Sequence, residues 1–369
     1  MKLVISGYYG FNNIGDEAIL ASIIQSLREI QPDIEIVVLS NKPEVTKSTY
    51  GVEAIDRWKF KVILKALKDS DGLISGGGSL LQDQTGWKSV PYYSGIMYLA
   101  KLLKKPVYMY AQGIGPLDRF FNRWIVKVVL NKINRITVRD EESKKLLETL
   151  KVKKNISIVP DPVMGYKADN LNSDWLAGQD FKKPTVTVSV RDWKGLEDFK
   201  RKVAVALDCL VDNEQVDIIF IPMHGFHDHN TSVEVARLMK TPSRIAPYDA
   251  SIEEKIAIIG SSEFLFGMRL HSLIFAGVVG TPFLALSYDP KIDSYSNLTH
   301  QPVAGHVEKD ELNDLHTILL ENFKSRKVLL ELMRGTTDEM KLTAKETAKL
   351  AISSISSNKG LLKSKEGVN

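Results

Sequence analysis

At 369 residues the chain is too long for one ordinary domain and suits two. Its 44% hydrophobic and 25% charged residues are the mix of a soluble globular protein with material for two cores. The 49 basic and 45 acidic residues leave a net charge of only +4, and with no Lys/Arg stripe read as free of acids, the balance argues against a nucleic-acid binder. Lysines such as Lys144, Lys145, Lys151, Lys153 and Lys154 read as solvated helix faces, with weak attraction to an anionic membrane as the alternative.

Short β-rich runs alternate with amphipathic stretches along most of the chain. In the first half, strands are expected at Leu3–Ser6, Ile34–Leu39, Gly72–Ser75, Val107–Ala111, Ile136–Arg139 and Ile156–Val159. The clearest helix follows Asp16, where Ile19, Leu20, Ile23, Ile24, Leu27 and Ile30 fall on one face. Residues 165–184 break the alternation with Gly, Asn, Ser, Asp and Pro, and read as an interdomain linker. It restarts with strands expected at Val186–Val190, Asp217–Ile221, Glu263–Phe266 and Phe283–Leu286. Helices are expected around Leu196–Leu210, Asp228–Met239, Ile252–Ile259 and Leu273–Val279. From Glu311 to Ser354 the pattern is helical only.

The fold expectation is therefore α/β, with two Rossmann-like doubly wound domains facing a cleft, and a C-terminal helical extension. The boundaries are an N-terminal domain over 1–168, a C-terminal domain over 180–310, a helical extension over 311–356 and a disordered polar tail over 357–369. Met1-Lys2 runs straight into a strand, and no run of 18 uncharged apolar residues occurs, so the expected location is cytoplasmic, with at most peripheral contact at the inner membrane face. The single cysteine, Cys209, falls in an apolar helical run and reads as a buried structural thiol in a reducing compartment.

Ligands in open α/β sheets sit beyond the carboxyl ends of strands, and most of the polar motifs fall there. Gly7 to Glu17 follows the first strand and opens a helix, yet it matches neither the Walker loop nor the dinucleotide fingerprint. Its Asp16 and Glu17 either just complement the helix dipole or bind a sugar hydroxyl beside Asn13. Ser75-Gly76-Gly77-Gly78-Ser79-Leu80-Leu81-Gln82-Asp83 is a tight turn or a loop cleared for a ligand. Its Gln82 and Asp83 suit hydroxyls, and Trp87, Tyr92 and Tyr93 suit a sugar face or the core. Gln112 in the Gln112–Pro116 turn has no evident turn role, and Arg139 reads as a partner for a neighbouring carboxylate.

The second half carries the sharper signals. Ser189-Val190-Arg191 puts an arginine at a strand end, and Gly267-Met268-Arg269-Leu270-His271 puts another beside a histidine where strand gives way to helix. Two guanidinium forks and an imidazole suit a carboxylate or phosphate. A buried Arg–Asp pair is the competing explanation, with no acid inside either motif. Lys291, in Tyr288-Asp289-Pro290-Lys291, can join the same rim. His224-Gly225-Phe226-His227-Asp228-His229 has metal-like spacing, but ligation from one loop is awkward. The reading taken is that His224 lines the cleft and Asp228 caps the next helix, with no metal.

In order and spacing these motifs resemble the polysaccharide pyruvyl transferase family over residues 1–310. Within it the chain is most similar to the bacterial branch that ketalises N-acetylmannosamine in the secondary cell wall polysaccharide anchoring surface-layer proteins. The resemblance implies a fold like that of the GT-B glycosyltransferases. It also implies transfer of pyruvate from phosphoenolpyruvate to two sugar hydroxyls, typically O4 and O6, as a ketal, without cofactor or metal. On this reading Arg191, Arg269, Leu270 (through its backbone), His271 and Lys291 bind the donor, and Arg191, Arg269 and His271 are catalytic. The acceptor meets Asn13, Asp16, Glu17, Gly77, Gly78, Gln82, Asp83, Gln112 and His224. A GT-B glycosyltransferase using a nucleotide sugar, and a non-catalytic glycan- or anion-binding module, are the alternatives.

Overall fold

A computed structural model describes residues 1–84, 86, 88–169, 171–193, 198–309 and 311–366, with side chains as far as 357. Trp87 and Leu196, named above, lie outside the described residues. The chain forms two units, residues 1–166 with 340–369, and residues 167–339.

In the first unit the chain runs β1 (Lys2–Tyr9), α1 (Ile14–Ile30), β2 (Glu35–Ser40), α2 (Pro43–Tyr50), β3 (Glu53–Asp56), α3 (Phe60–Asp69), β4 (Gly72–Ser75) and β5 (Gly78–Leu81). It continues through α4 (Ser89–Leu102), β6 (Val107–Ile114), α5 (Phe120–Leu130), β7 (Arg135–Val138), α6 (Glu141–Thr149), β8 (Ile156–Ile158) and a short 3-10 turn, Pro162–Gly165. The strands pair in parallel in the order β3-β2-β1-β4-β6-β7-β8, with β5 against β6. Because the chain reverses its winding between β1 and β4, a crevice opens at their carboxyl ends. α1 starts where the Asn13 side chain accepts the Gly15 N–H at 3.2 Å, and its stripe of Ile19, Leu20, Ile23, Ile24 and Leu27 is buried.

The second unit repeats the plan. It runs α7 (Asp174–Ala177), β9 (Thr185–Ser189), α8 (Asp198–Glu214), β10 (Asp217–Phe220), α9 (Gly225–Leu238), β11 (Ser243–Ile245), α10 (Ile252–Gly260) and β12 (Phe264–Gly267). Then follow α11 (Leu270–Val279), β13 (Phe283–Ser287), α12 (Pro290–Leu298), β14 (Val303–His306), α13 (Leu315–Lys324) and α14 (Arg326–Glu366). The parallel order is β11-β10-β9-β12-β13-β14, the dinucleotide-fold order, with its reversal between β9 and β12.

The expected linker is partly structured, since α7 packs on α10 inside the second unit and the units divide after Tyr166. The expected separate extension is also redistributed. α13 buries Leu315, Leu319 and Phe323 on the second unit, with the Phe323 ring edge-on to Phe264 at 5.8 Å, because its apolar stripe needs a face to cover. The later part of α14 belongs to the first unit, where Ala344 meets Gly165, Ile355 meets Gly72 and the Tyr108 hydroxyl donates to the Thr347 carbonyl at 3.5 Å. The tail expected to be disordered from 357 continues as helix to Glu366, since extending a helix needs no new nucleus and residues 357–366 contain no proline. Cys209 is half-buried rather than buried. Among the described residues no helix is long and apolar enough to cross a membrane.

Candidate functional site

Both polar clusters lie where the winding reverses. In the second unit Arg191 follows β9, and Arg269 follows β12 as the residue before α11. Arg269 donates from Nε to Asp228 Oδ2 at 2.9 Å and from Nη2 to Asp228 Oδ1, a bidentate pair with a carboxylate only 1% exposed. Asp228 Oδ2 also accepts the N–H groups of Met223 at 3.2 Å and His224 at 2.9 Å. The acid missing from both arginine motifs therefore comes from the histidine-rich loop, and Asp228 fixes the Arg269 fork besides bracing the start of α9. Burial works against the Arg269 charge, but the hydrogen bonds and charge of Asp228, with help from Tyr288, raise its pKa above the ordinary value.

Arg191 is held differently. Its guanidinium lies over the Tyr288 ring at 4.3 Å and the Trp193 ring at 5.1 Å, and its buried Nε has no hydrogen-bond partner among the described residues. The turn carrying it is tied to α9 by buried Lys200, which pairs with Asp192 at 2.8 Å and Glu234 at 2.7 Å. His271 and Leu270 open α11, whose first N–H groups point out of the helix end. Lys291 is half-buried at the start of α12, which Asp289 caps. The two arginines, the α11 terminus and Tyr288 are thus gathered on rigid elements, a cationic arrangement chemically suited to an anion.

His224 belongs to this cluster, because β10 adjoins β9 in the sheet and Asp228 accepts the His224 N–H. Desolvation and the positive charges of Arg269 and then Arg191 lower its pKa against the pull of Asp228. The histidines of its loop divide. His227 stays 5.8 Å from His224, whereas His229 packs against Phe226 and Tyr248.

In the first unit the glycine loop and the first helix form one cluster. A Cβ on Gly78, which sits at φ +87°, would lie 2.7 Å from Asp16 Oδ1, and one on Gly76 would lie 2.1 Å from the Tyr9 hydroxyl. The glycines make room for Asp16 and Tyr9, so Asp16 sits against the loop backbone. Asn13 Nδ2 donates to Asp16 Oδ2 at 2.6 Å. Burial first, then the charge of Glu17, raises the Asp16 pKa to about 7, with Arg139 opposing and Asp161 adding to the rise. The Arg139 side chain is 8% exposed and bonded to Asp161 at 3.3 Å and to Ser79 at 3.1 Å.

Three residues expected at the acceptor are occupied by the framework. Glu17 accepts the Gly10 N–H at 2.8 Å and the Tyr50 hydroxyl at 2.7 Å. Gln112 is fully buried and donates to Ser75 Oγ at 2.7 Å, joining β6 to β4. Asp83 accepts from the Asp118 and Arg119 N–H groups, both at 3.0 Å, and from Asn122 Nδ2 at 3.1 Å. Desolvation opposes the Asp83 charge, but these bonds outweigh it and lower the pKa. Its stabilisation is thus present above the ordinary carboxylate pKa and lost as pH falls through the depressed value. Asp83→Ala should lower unfolding stability by about 2–4 kcal/mol, read by urea denaturation at neutral pH, with the acceptor KM unchanged. A raised KM at wild-type stability would return Asp83 to the acceptor site. Gln82 is half-buried, with Oε1 accepting from Gln84 N–H at 3.0 Å.

Arg57 escaped the sequence reading. It follows β3, is 4% exposed, and donates to the Gly7 carbonyl at 3.0 Å and the Tyr93 hydroxyl at 3.2 Å. Phe11, Trp58, Tyr92 and Tyr93 surround it, with the Tyr92 centroid nearest at 4.4 Å. The only signal was an arginine just before an aromatic residue, in Asp56-Arg57-Trp58.

With this geometry in hand, comparison with known proteins separates the alternatives. Amylovoran biosynthesis protein AmsJ of Erwinia amylovora is 21% identical over 358 residues, covering 79% of this chain and 84% of that protein. UDP-GlcNAc 2-epimerase from Neisseria meningitidis, solved with UDP-GlcNAc, superposes with TM-score 0.66 at 12% identity over 96% of this chain and 99% of that one. The glycosyltransferase SnogD from Streptomyces nogalater gives TM-score 0.57 at 15% identity over 96% and 99%. These structural likenesses establish the fold, two parallel-sheet α/β domains of the GT-B kind with a C-terminal helix. The polysaccharide pyruvyl transferase profile matches residues 13–290, from the Asn13 cap through both arginines to the start of α12. On that match the chain belongs to the polysaccharide pyruvyl transferase family and is a pyruvyltransferase.

Proposed function

We propose that the enzyme takes pyruvate from phosphoenolpyruvate and places it as a ketal across O4 and O6 of a sugar. The acceptor we favour is N-acetylmannosamine in a lipid-linked precursor of secondary cell wall polysaccharide, modified at the cytoplasmic face of the membrane for surface-layer anchoring. The observation that carries the donor reading is Arg191, a guanidinium stacked on Tyr288 with a buried Nε that has no partner among the described residues, beside an Arg269 already oriented by Asp228. Phosphoenolpyruvate puts a carboxylate and a phosphate on one small frame and uses both forks together with the α11 N-terminus.

The chemistry follows. A proton reaches C3, C2 becomes electrophilic, one hydroxyl adds there and phosphate departs. The second hydroxyl then adds at C2 and closes the ring. Of the two hydroxyl protons, one balances the proton taken up at C3 and the other leaves with phosphate. His271 serves as acid or phosphate ligand, and Lys291 holds the rim. Among the first-unit carboxylates Asp16 is the base, since Glu17 is committed to Gly10 and Tyr50. No step calls for a metal or redox cofactor.

Thermal-shift titration should raise Tm with phosphoenolpyruvate and not with UDP- or GDP-sugars. Incubation with N-acetylmannosamine-containing acceptors should then release phosphate in step with a pyruvate-ketal mass gain. Stabilisation by a nucleotide sugar alone, with no phosphate released from phosphoenolpyruvate, overturns the reading.

A further inference from the structure

α5 carries apolar side chains on two sides. Its inner side buries Val126, Val129 and Leu130 in the first unit's core. On the outer side Phe120, Phe121 and Trp124 are 84%, 62% and 53% exposed. Positions 120, 121 and 124 share one helical face, and the Phe121 and Trp124 rings stack at 6.1 Å and 19°, so the aromatics form one block. The block is held rigidly. Asp83 fixes the backbone at Asp118 and Arg119 and the side chain of Asn122, and Arg123 donates to the Leu117 carbonyl at 3.2 Å. Residues 119–135 contain five basic residues, Arg119, Arg123, Lys127, Lys132 and Arg135, and no acid, so the sequence does hold an acid-free basic run, and Arg119 and Lys127 are exposed at and on α5. Asp118 is the one acid at its edge.

We infer that this face docks the enzyme on an anionic bilayer surface, with Phe120, Phe121 and Trp124 in the headgroup region and Arg119 and Lys127 against the lipid charges. Three large aromatics held outward on one helix end are unusual for a surface that stays in water. Trp and Phe flanked by cations are what an interfacial site presents. A second copy of the chain fits less well, because a two-fold contact over this face would bring the exposed Arg119 and Lys127 of both copies together. The inference fits a lipid-linked acceptor but does not rest on the transfer reaction, and its test uses neither donor nor acceptor.

The test is co-sedimentation of the full chain with vesicles of phosphatidylcholine alone or with added phosphatidylglycerol. The wild type should pellet with the anionic vesicles and be partly released by salt. Phe120→Ser/Phe121→Ser/Trp124→Ser should lose about tenfold or more of that partitioning, with unchanged circular dichroism and an unchanged urea midpoint. Arg119→Glu/Lys127→Glu should lose the preference for phosphatidylglycerol. Wild type that ignores anionic vesicles, or a triple variant that binds as well as wild type, overturns the inference. A wild-type dimer that the triple variant converts to monomer overturns it in favour of a second copy.

Discussion

Asp16→Asn is expected to lower kcat by about 10²–10⁴, the usual contribution of a positioned general base, while the donor KM changes little. Asn keeps the size of the side chain and an oxygen to accept from Asn13. What it loses is a carboxylate whose pKa burial and Glu17 push up to about 7, near the pH where a base is most effective. The wild-type kcat/KM should therefore rise as pH passes through about 7, and this limb should vanish in Asp16→Asn. Stability moves the other way. Folding raises the pKa from 3.8 to about 7, so within that window the folded chain holds a proton that the unfolded chain has lost. Wild-type stability thus falls as pH rises through the window, and Asp16→Asn should be the more stable protein above pH 7, by about 1–3 kcal/mol. The gap should close toward pH 4. Glu17→Gln should cost less than tenfold in kcat, because its oxygens serve Gly10 and Tyr50. A variant at Asp16 that loses stability and keeps kcat would make this residue framework.

Much of this was legible in the chain because burial on both faces of a parallel sheet writes continuous apolar runs, and those runs located most of the strands of both units. β3, β11 and β14 were missed because they are edge strands of three or four residues carrying Glu, Asp, Ser, Arg or His. β5 was missed because Gly78 made it read as loop. With β3 went Arg57, whose significance depends on three aromatic rings, Phe11, Tyr92 and Tyr93, brought in from elsewhere in the chain beside its neighbour Trp58. The arginine motifs stood out because they are polar residues just after strands, and Asp16 because it is an acid in the first turn of the helix that follows β1. Their partners did not, because pairing is set by the fold. Asp228 reaches Arg269 across 41 residues, and Tyr50 reaches Glu17 across 33.

The second large expectation separates Asp228, Arg269 and Arg191, the three charged groups of the proposed donor site. Asp228→Ala should be the most destabilising change, by about 2–4 kcal/mol, because it leaves the half-buried Arg269 guanidinium without its counter-charge and also strips the Met223 and His224 N–H groups of their acceptor. Arg269→Ala should lose both stability and donor affinity, since it strands a buried carboxylate and removes one fork. Arg191→Ala should behave differently. Aromatic rings hold that guanidinium, so its removal should leave the urea midpoint nearly unchanged. The phosphoenolpyruvate KM should rise roughly 10–150-fold, the equivalent of about 1.5–3 kcal/mol for one charge-assisted contact. Arg191→Lys should recover only part of this, because an ammonium neither stacks flat on Tyr288 nor grips an anion with two parallel bonds. Steady-state kinetics with varied phosphoenolpyruvate, alongside urea unfolding of each variant, reads both quantities. If Arg191→Ala keeps the wild-type donor KM, Arg191 is not a donor ligand. If its stability falls as far as that of Asp228→Ala, the stacked guanidinium is a structural pillar instead.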